Sequence, residues 1–364
     1  MRTILFPLLL FALLGCEQET LPDLIAPSST YFPPNNTQTW NRTTPDSLRW
    51  NTAELENLYT YLEANNTRAF LLLKDGKIVL EQYWGRNILN TANFDRNSIW
   101  YWASAGKTLT AFLTGIAQEK GLLDIEDKSS DYLGVGWTNL AREKEDLITI
   151  KHQLTMTTGL DFTVSNLDCT DKECLQYRAD AGTQWFYHNA PYTLLARVVG
   201  NASELSYDRF TDEYVEEKIG MNGEWRNIDY NNVYWSTARD AARFGLLVLN
   251  EGKWGDQTLL ADTDYLEQMI NSSQELNPSY GYLWWLNGKE RTILPGSPIP
   301  FNTAISPSAP ADLFAAMGKN GQFIDVVPSE DLVVVRMGQA PSNELVPIKF
   351  HDEMWEQLMQ IIKE

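Results

Sequence analysis

Segments with the pattern of β-strands lie near both ends of this chain, and the long segment between them is mostly helical in pattern. Residues 69–85 hold two apolar runs joined by Asp75-Gly76, a dipeptide typical of a tight hairpin. Three more such runs follow near the other end, over residues 313–317, 323–327 and 332–337. Strands so far apart in sequence can share one core only if both ends of the chain meet in the same sheet. The sequence therefore predicts an α+β fold with one antiparallel β-sheet built from both ends.

Helical periodicity marks both flanks of that sheet and most of the segment between them. Asn51 and Glu54 form a capping pair ahead of an apolar face, and residues 347–364 have the spacing of a closing amphipathic helix. Over about residues 100–290, helices are predicted after Ser104, from about Pro191 to Val199, and from Thr237 with Asp240 as capping-box partner. We expect terminal helices on the sheet and an inserted, mostly helical subdomain that meets the sheet at a cleft.

The N-terminus has the pattern of an export signal. Arg2 precedes an apolar run, residues 4–14, that is too short for a permanent membrane-spanning helix. The letters LLGC that follow resemble the bacterial lipoprotein box, which implies removal of residues 1–15 as a lipoprotein signal peptide and attachment of lipid to Cys16. The alternative is a plain secretory signal with an incidental cysteine. Both interpretations predict export, and the first anchors the protein to the bacterial cell envelope, in the periplasm or at the outer membrane.

The segment after the signal has the composition of a tether. Residues 16–45 hold five prolines among many Ser, Thr and Asn, a mixture that does not form regular elements. We therefore predict a Pro-rich tether over 16–45 and a single folded domain over 46–364, which contains the helical insertion.

Two cysteines remain once Cys16 is set aside. Cys169 and Cys174 lie in a polar loop, and an exported protein meets an oxidising compartment, so a disulfide is the expected state. A zinc site is the alternative, although no His or second Cys pair lies nearby in the sequence. Because closing so short a loop removes little chain entropy, the disulfide should stiffen the loop rather than stabilise the whole domain.

The charge of the chain excludes one large class of partner. Its 364 residues carry a net charge of −19, and no run of Lys or Arg offers a local exception. Nucleic-acid binding needs clustered basic residues, so no nucleic acid is expected as a partner.

Residues 101–112, YWASAGKTLTAF, contain parts of three catalytic motifs. A phosphate-binding P-loop would need Gly at the position of Tyr101, and a hydrolase nucleophile elbow would need Gly at the position of Trp102. The remaining motif, Ser-x-x-Lys, fits Ser104 and Lys107, which lie one helical turn apart on the same face. A buried Lys can lose its proton and then activate a Ser hydroxyl as a nucleophile. On its own this motif is common, and the alternative is a helix-capping Ser beside a surface Lys.

Two further motifs follow in an order that strengthens this interpretation. Tyr187 and Asn189 form Tyr-x-Asn ahead of a helix, and Lys319-Asn320-Gly321 stands at the start of a strand. With these three motifs, residues from about 50 to 364 resemble the serine β-lactamase and penicillin-binding protein superfamily, on its class C-like branch of esterases and 6-aminohexanoate-dimer hydrolases. That family has the α+β layout expected above and uses neither a metal nor a cofactor.

The resemblance implies roles for the residues that react. Ser104 corresponds to the acylated nucleophile and Lys107 to its base partner. Tyr187 corresponds to a general base or proton shuttle that also helps water attack the acyl-enzyme.

It also implies roles for the residues that bind. Asn189 would orient Lys107 and the substrate amide, and Lys319 would hold a substrate carboxylate or keep Tyr187 anionic. The N–H groups of Ser104 and Gln322, beside Gly321, would form the oxyanion hole. Near these residues, Trp102, Trp284 and Trp285 either wall the pocket or pack in the core, and the Cys169–Cys174 loop is expected to shape the rim.

The departures from the family pattern bear on the substrate. Tyr-x-Asn replaces Ser-Asp-Asn, and Asn320 stands where Thr is usual, in a frame that recurs in esterases and 6-aminohexanoate-oligomer hydrolases. The first hypothesis is therefore an exported serine hydrolase that cleaves a small-molecule or short-oligomer amide or ester through acyl-Ser104. The second is a true class C-type β-lactamase or D-Ala-D-Ala carboxypeptidase. The third is an inactive binding protein of the cell envelope on the same fold.

Overall fold

The computed structural model describes residues 30–37 and 39–362, which hold an antiparallel sheet with helices on both faces. The predicted signal peptide, residues 1–15, and the predicted lipid attachment at Cys16 lie outside the described residues. Within the described ranges, no helix combines the length and the apolar character needed to cross a membrane.

The helices and strands follow the predicted order along the chain. The helices are α1 Leu55–Ala64, α2 Lys107–Glu119, α3 Ser129–Leu133, α4 Arg142–Glu145, α5 Ile150–Leu154, α6 Asn189–Thr193, α7 Leu195–Ser203, α8 Tyr207–Thr211, α9 Glu217–Ile219, α10 Ala238–Leu249, α11 Thr263–Met269 and α12 Ile348–Ile362. The strands are β1 Thr67–Lys74, β2 Lys77–Tyr83, β3 Trp100–Tyr101, β4 Glu224–Ile228, β5 Asn231–Ser236, β6 Lys253–Trp254, β7 Gln257–Thr258, β8 Trp285–Leu286, β9 Thr292–Ile293, β10 Pro300–Phe301, β11 Phe314–Gly318, β12 Gln322–Val327 and β13 Leu332–Gly338.

The main sheet joins both ends of the chain, as the sequence predicts. Its six strands have the order β2-β1-β13-β12-β11-β8, and each neighbouring pair is antiparallel. The first hairpin turns at Asp75 and Gly76, which both have positive φ (49° and 74°). The pairing of β1 with β13 brings the N-terminal hairpin beside the last strand. The predicted fold class is therefore confirmed.

Helices cover the two faces of this sheet. Alternate residues of β12 point to opposite faces: Phe323 stacks on Phe350 of α12, whereas Ile324 faces α10. At Gly245 of α10 a Cβ would lie 2.6 Å from a methyl carbon of Val333, so only glycine lets this helix approach β13 so closely. The apolar face predicted for the closing helix is buried, through Phe350, Met354, Leu358 and Ile361.

A buried polar network also joins α12 to the sheet. Ser306 Oγ lies 2.5 Å from His351 Nδ1, His351 Nε2 lies 2.8 Å from Asp325 Oδ2, and Trp355 donates to the same carboxylate oxygen at 2.8 Å. The order Ser–His–Asp is that of a catalytic triad. All three side chains have zero solvent exposure, however, so no substrate reaches the Ser306 hydroxyl. This grouping holds the helix on the sheet.

The chain begins to pack against the domain earlier than the predicted boundary at residue 46. Tyr31 and Thr43 donate backbone hydrogen bonds to the Asp75 and Ile78 carbonyls. The buried Trp40 donates through Nε1 to the Gly76 carbonyl at 2.8 Å. The part of the predicted tether over 30–37 and 39–45 is thus held on the first hairpin, because Trp40 supplies an apolar anchor that its polar neighbours obscure in the sequence.

The inserted region is mostly helical, with local differences from the prediction. The helix expected over 191–199 is two helices, α6 and α7, with a break at Leu194. Strands β3, β5 and β4 form a small sheet within the insertion. The Thr237–Asp240 capping box of α10 is present as predicted.

Stability is expected to depend on pH through Glu216, at the end of a π-helical turn, Asp212–Glu216. Burial raises the pKa of this carboxyl from 4.5 to about 7, although the Tyr234 hydroxyl donates to it at 2.5 Å and acts in the opposite direction. Because the pKa is higher in the folded state, the protonated Glu216 carboxyl stabilises the fold. This contribution to the free energy of unfolding is complete below pH 4.5 and is lost as the pH rises through about 7. Relative to Glu216→Gln, the wild type should lose on the order of 2 kcal/mol between about pH 5 and pH 8.

Urea denaturation of both proteins across that range measures the difference. Parallel stability curves for the wild type and the Gln variant would show that Glu216 does not change its protonation on unfolding.

Candidate active site

Ser104 lies in a one-turn 3-10 segment, Ala103–Gly106, between β3 and α2. The turn is fixed from below, because Trp102 donates its backbone N–H to the Tyr234 carbonyl and its Nε1 to Ser236 Oγ, both at 2.8 Å. Ala103 has φ of 49°, a left-handed conformation that is uncommon for alanine and is found at functional turns. Trp102 has no solvent exposure and packs in the core, so it does not wall the pocket.

Lys107 begins α2 and reaches back to Ser104. Its Nζ lies 3.1 Å from Ser104 Oγ, within hydrogen-bond distance, as the Ser-x-x-Lys spacing predicts. The side chain is only 3% exposed. Burial lowers the pKa of Lys107 from 10.5 to about 7, and the Asp168 carboxylate partly opposes this. The amine can therefore be neutral near neutral pH and accept a proton.

A cavity of about 320 Å³ opens over these two side chains. Five of the predicted site residues line it: Ser104, Lys107, Tyr187, Asn189 and Lys319. Ile228 and Leu345, which are large exposed apolar residues, lie on its walls. A larger and more open groove of about 940 Å³ adjoins it, and Asn232 lines both. The three motifs that lie far apart in the sequence thus meet at one site.

Tyr187 is held between the cavity and the core. Its ring stacks on Trp285 with centroids 5.7 Å apart, and Trp284 and Trp285 are buried rather than exposed in the pocket. Burial raises the pKa of Tyr187 well above its usual range, more than a hydrogen bond with Ser104 lowers it. Tyr187 is therefore neutral at physiological pH, which favours a role as a hydrogen-bonding proton relay over the anionic base also considered from the sequence.

Asn189, at the start of α6, is held by a neighbouring loop. Its Nδ2 donates to Asp168 Oδ1 at 2.7 Å, and its Oδ1 is buried without a hydrogen bond to any described residue. The predicted disulfide, Cys169–Cys174, is present in this loop. Asp168, which directly precedes Cys169, lines the cavity, and Thr170 within the disulfide loop lines the adjoining groove.

The end of β11 packs against the turn that carries Ser104. At Gly318 a Cβ would lie 2.6 Å from the Trp102 carbonyl oxygen and 3.1 Å from the Ser104 nitrogen, so glycine is required for this approach. The next residue, Lys319, is exposed in the cavity, and Asn320 and Gly321 then turn the chain with φ of 65° and 76°.

Gln322 and Gly321 do not line the cavity, in contrast to the sequence prediction. Gln322 pairs with Gly318 across the β11–β12 hairpin, and its buried side chain bonds Gly338 on the neighbouring strand. Lys319 rather than Gln322 lines the cavity with Ser104, because the three-residue turn after Gly318 carries the chain away before it reaches Gln322.

Arg336 holds this turn from beneath, a role that the sequence analysis missed. Its guanidinium donates to the backbone carbonyls of Asn320 (2.6 Å) and Gly321 (2.9 Å). Its remaining bonds go to Thr67 Oγ1 and to the carbonyls of Asn65 and Gln339. Arg336 has no solvent exposure, and burial lowers its pKa to about 9. It therefore remains charged at neutral pH within a cage of uncharged oxygen atoms.

Two other cavity residues were also missed. Tyr192 lies one helical turn after Asn189, so the i, i+3 spacing was a usable signal. Asp168 had no sequence signal, because only the folded loop brings it to the cavity. Within the described ranges, no group of three or more His, Cys, Asp or Glu is arranged to hold a metal ion.

The sequence matches a known family model, and the structure is similar to solved structures. A family model described as Beta-lactamase matches residues 63–355. The structure is similar to that of a proposed 6-aminohexanoate-dimer hydrolase from Bacillus anthracis, with TM-score 0.65 and 17% identity over 90% of this chain and 88% of that one. It is similar to a penicillin-binding protein homologue from Caulobacter crescentus, with TM-score 0.65 and 12% identity over 84% and 96% of the two chains. Both likenesses are likenesses of fold.

A curated relative matches over a shorter region. Penicillin-binding protein 4* of Bacillus subtilis is 30% identical over 143 residues, which is 35% of this chain and 30% of the relative. The chain thus matches less than a third of that relative's length.

Proposed function

The chain belongs to the beta-lactamase family, and we propose that it is a serine hydrolase that cleaves an amide or ester bond through a covalent acyl intermediate on Ser104. The observation that carries this proposal is the 3.1 Å contact between Ser104 Oγ and the buried Lys107 Nζ, at the base of a substrate-sized cavity. The neighbouring family members named for hydrolysis support the reaction class.

In the first step Lys107 acts as the base. Its neutral Nζ accepts the Ser104 hydroxyl proton, the electron pair left on Oγ bonds the substrate carbonyl carbon, and the carbonyl π pair moves to oxygen. Desolvation suits Lys107 to this step, because a pKa of about 7 leaves much of the amine neutral at physiological pH.

The resulting oxyanion needs donors close to Ser104. The N–H of Ser104 and the N–H of Lys319 are the proposed pair, since Gly318 brings the end of β11 against the Ser104 backbone. Collapse of the intermediate breaks the bond to the leaving nitrogen or oxygen, which takes a proton from the Lys107 ammonium through the Tyr187 hydroxyl. Water then attacks the acyl carbon and gives one proton to Lys107. The bond between that carbon and Ser104 Oγ breaks, Oγ takes the proton from the Lys107 ammonium, and the carboxylic acid leaves.

Cleavage of β-lactams or D-Ala-D-Ala peptides is the second candidate function. Lys319 favours it, because this exposed cation in the cavity has no ion-pair partner among the residues described and could hold a substrate carboxylate. The partial match to a penicillin-binding protein points the same way.

A substrate panel tests these proposals. The protein without residues 1–16, the predicted signal peptide and lipid-attachment site, is assayed with p-nitrophenyl esters, a short oligoamide, nitrocefin and a D-Ala-D-Ala peptide, beside Ser104→Ala. The proposal expects turnover of an ester or amide that Ser104→Ala abolishes. Turnover of nitrocefin or the peptide alone would select the second candidate. No turnover, together with no labelling by a fluorophosphonate or a fluorescent penicillin, would favour an inactive binding protein.

The pH profile should report the Lys107 base. Since Lys107 must be neutral to act, kcat/KM should fall on the acid side with a midpoint near the Lys107 pKa of about 7 and be constant above it. Asp168 raises that pKa, so Asp168→Asn should move the acid limb to lower pH. Asp95→Asn, which removes an exposed carboxylate outside the cavity, serves as the control. If the midpoint of the acid limb is the same in Asp168→Asn as in the wild type, the assignment of that limb to Lys107 is contradicted.

We also propose that the protein is exported and lipid-anchored through Cys16. The support is the N-terminal sequence: a basic residue, a short apolar run and LLGC. Metabolic labelling with an alkyne fatty acid tests it, with a labelled band expected for the full chain and lost in Cys16→Ser. If the full chain is secreted but carries no label, the proposed lipid anchor is contradicted and the proposed export still holds.

A further inference from the structure

The proton that Lys107 accepts creates a positive charge on a buried nitrogen, and the Asp168 carboxylate attracts this charge only from beyond ion-pair distance. Lys107 Nζ is buried, and its hydrogen-bond partner is the neutral Ser104 hydroxyl. Among the residues described, no carboxylate lies within the 4.0 Å limit of an ion pair with this nitrogen. Asp168 shares the cavity but is bonded to Asn189 instead. The ammonium therefore needs another source of stabilisation.

Two tyrosine rings face this nitrogen. The centroid of the Tyr192 ring lies 4.1 Å from Lys107 Nζ, and that of Tyr187 lies 5.1 Å away. Both distances are within the range at which the face of an aromatic ring attracts a cation. Tyr192 is the closer ring, it is only 6% exposed, and it packs in the main hydrophobic core of the domain. Its position relative to Lys107 is therefore fixed.

We propose that Tyr192 is a catalytic residue whose ring stabilises the ammonium that forms on Lys107 while Ser104 loses its proton. The inference rests on the proposed function, because it needs Lys107 as the base. The attraction is absent for the neutral amine and grows as the proton moves from Oγ to Nζ. It is therefore stronger in the transition state than in the ground state, which is the condition for lowering the barrier.

An aromatic ring suits this base better than a carboxylate would. A carboxylate at the same distance would favour the protonated amine before substrate arrives and would remove the base at neutral pH. The neutral ring attracts the cation less strongly, so burial still dominates and the Lys107 pKa stays near 7. The other polar and ionisable side chains that line the cavity are those of Ser104, Asp168, Tyr187, Asn189, Asn231, Asn232 and Lys319.

Fluorinated phenylalanines test the ring directly. Each added fluorine weakens the attraction of the ring for cations and changes its size little. Tyr192→Phe keeps the ring and is the reference. A series from Phe to 4-fluoro-, 3,5-difluoro- and 3,4,5-trifluorophenylalanine at position 192 should lower kcat/KM for an ester stepwise, by roughly tenfold in total, in step with the lost cation binding. The acid limb should move to lower pH along the series.

The same series at Phe112 is the control. Phe112 is a buried ring on α2 that packs on Phe244 and does not line the cavity, so kcat/KM should stay within about twofold. A flat response at position 192, with wild-type activity in Tyr192→Leu, would overturn the inference. The proposed function is tested separately: full activity in Ser104→Ala would refute that function, whereas a dead Ser104→Ala with a flat series would refute only the role of Tyr192.

Discussion

Lys107→Met should lower kcat/KM by roughly 10³-fold or more while the domain remains folded. The variant removes the only amine within 3.1 Å of Ser104 Oγ among the described residues and replaces it with an apolar chain of similar length. The Ser104 hydroxyl then has no strong base, and the loss should approach that of Ser104→Ala because the two residues act as a unit. Initial rates with a p-nitrophenyl ester measure it, and near-UV circular dichroism checks the fold.

Two further variants separate a base from a charge. Lys107→Arg keeps a cation that cannot lose its proton, so it should be as inactive as Lys107→Met. Lys120→Met removes a lysine just beyond the end of the same helix, where its Nζ lies over the partly buried Tyr214 ring, and should retain wild-type rates. Activity in Lys107→Arg would mean that this position supplies a positive charge and that the base is elsewhere.

Arg336→Met should destabilise the folded protein by roughly 3–5 kcal/mol. The substitution leaves five oxygen atoms without the donor that they share, and two of them belong to the Asn320-Gly321 turn. Because that turn follows Lys319, the folded fraction should also lose kcat with little change in KM. Urea denaturation gives the free energy of unfolding, and active-site titration with a fluorophosphonate corrects the rates for folded protein.

If Arg336→Met does not fold, Arg336→Lys tests the role of the buried guanidinium instead. A single ammonium can reach some of these oxygen atoms but not all, so an intermediate loss of stability and of kcat is expected. Arg142→Met is the matched control: among the described residues this exposed arginine on α4 pairs with Asp146 alone, and its removal should cost less than about 1 kcal/mol. Equal stability losses at positions 336 and 142 would contradict the role of the buried guanidinium.

Local pattern was enough to predict the strands, the closing helix and the contact between Ser104 and Lys107. Ser104 and Lys107 are three residues apart, so one helical turn fixes their relation whatever the rest of the chain does. The Asp75-Gly76 turn and the Thr237–Asp240 capping box are equally local, and each appears as expected.

The features that were missed depend on contacts between distant segments. Arg336 on β13 looked like an ordinary strand residue, because nothing in its neighbourhood indicates a turn sixteen residues earlier. The choice between Gln322 and Lys319 depends on the length of the β11–β12 turn, and a shift of one residue changes which group meets the cavity. Trp40 packs on a hairpin whose position is set only when the sheet forms.

Peptide mapping of the acyl-enzyme tests the central claim most directly. The protein is mixed with an activated ester, quenched with acid within the pre-steady state, digested and analysed by mass spectrometry. A mass increase equal to the acyl group is predicted on Ser104 in the wild type and in Ser306→Ala, whose serine belongs to the buried Ser–His–Asp network. No adduct is predicted in Ser104→Ala. An adduct on another residue, or undiminished turnover by Ser104→Ala, would contradict the account.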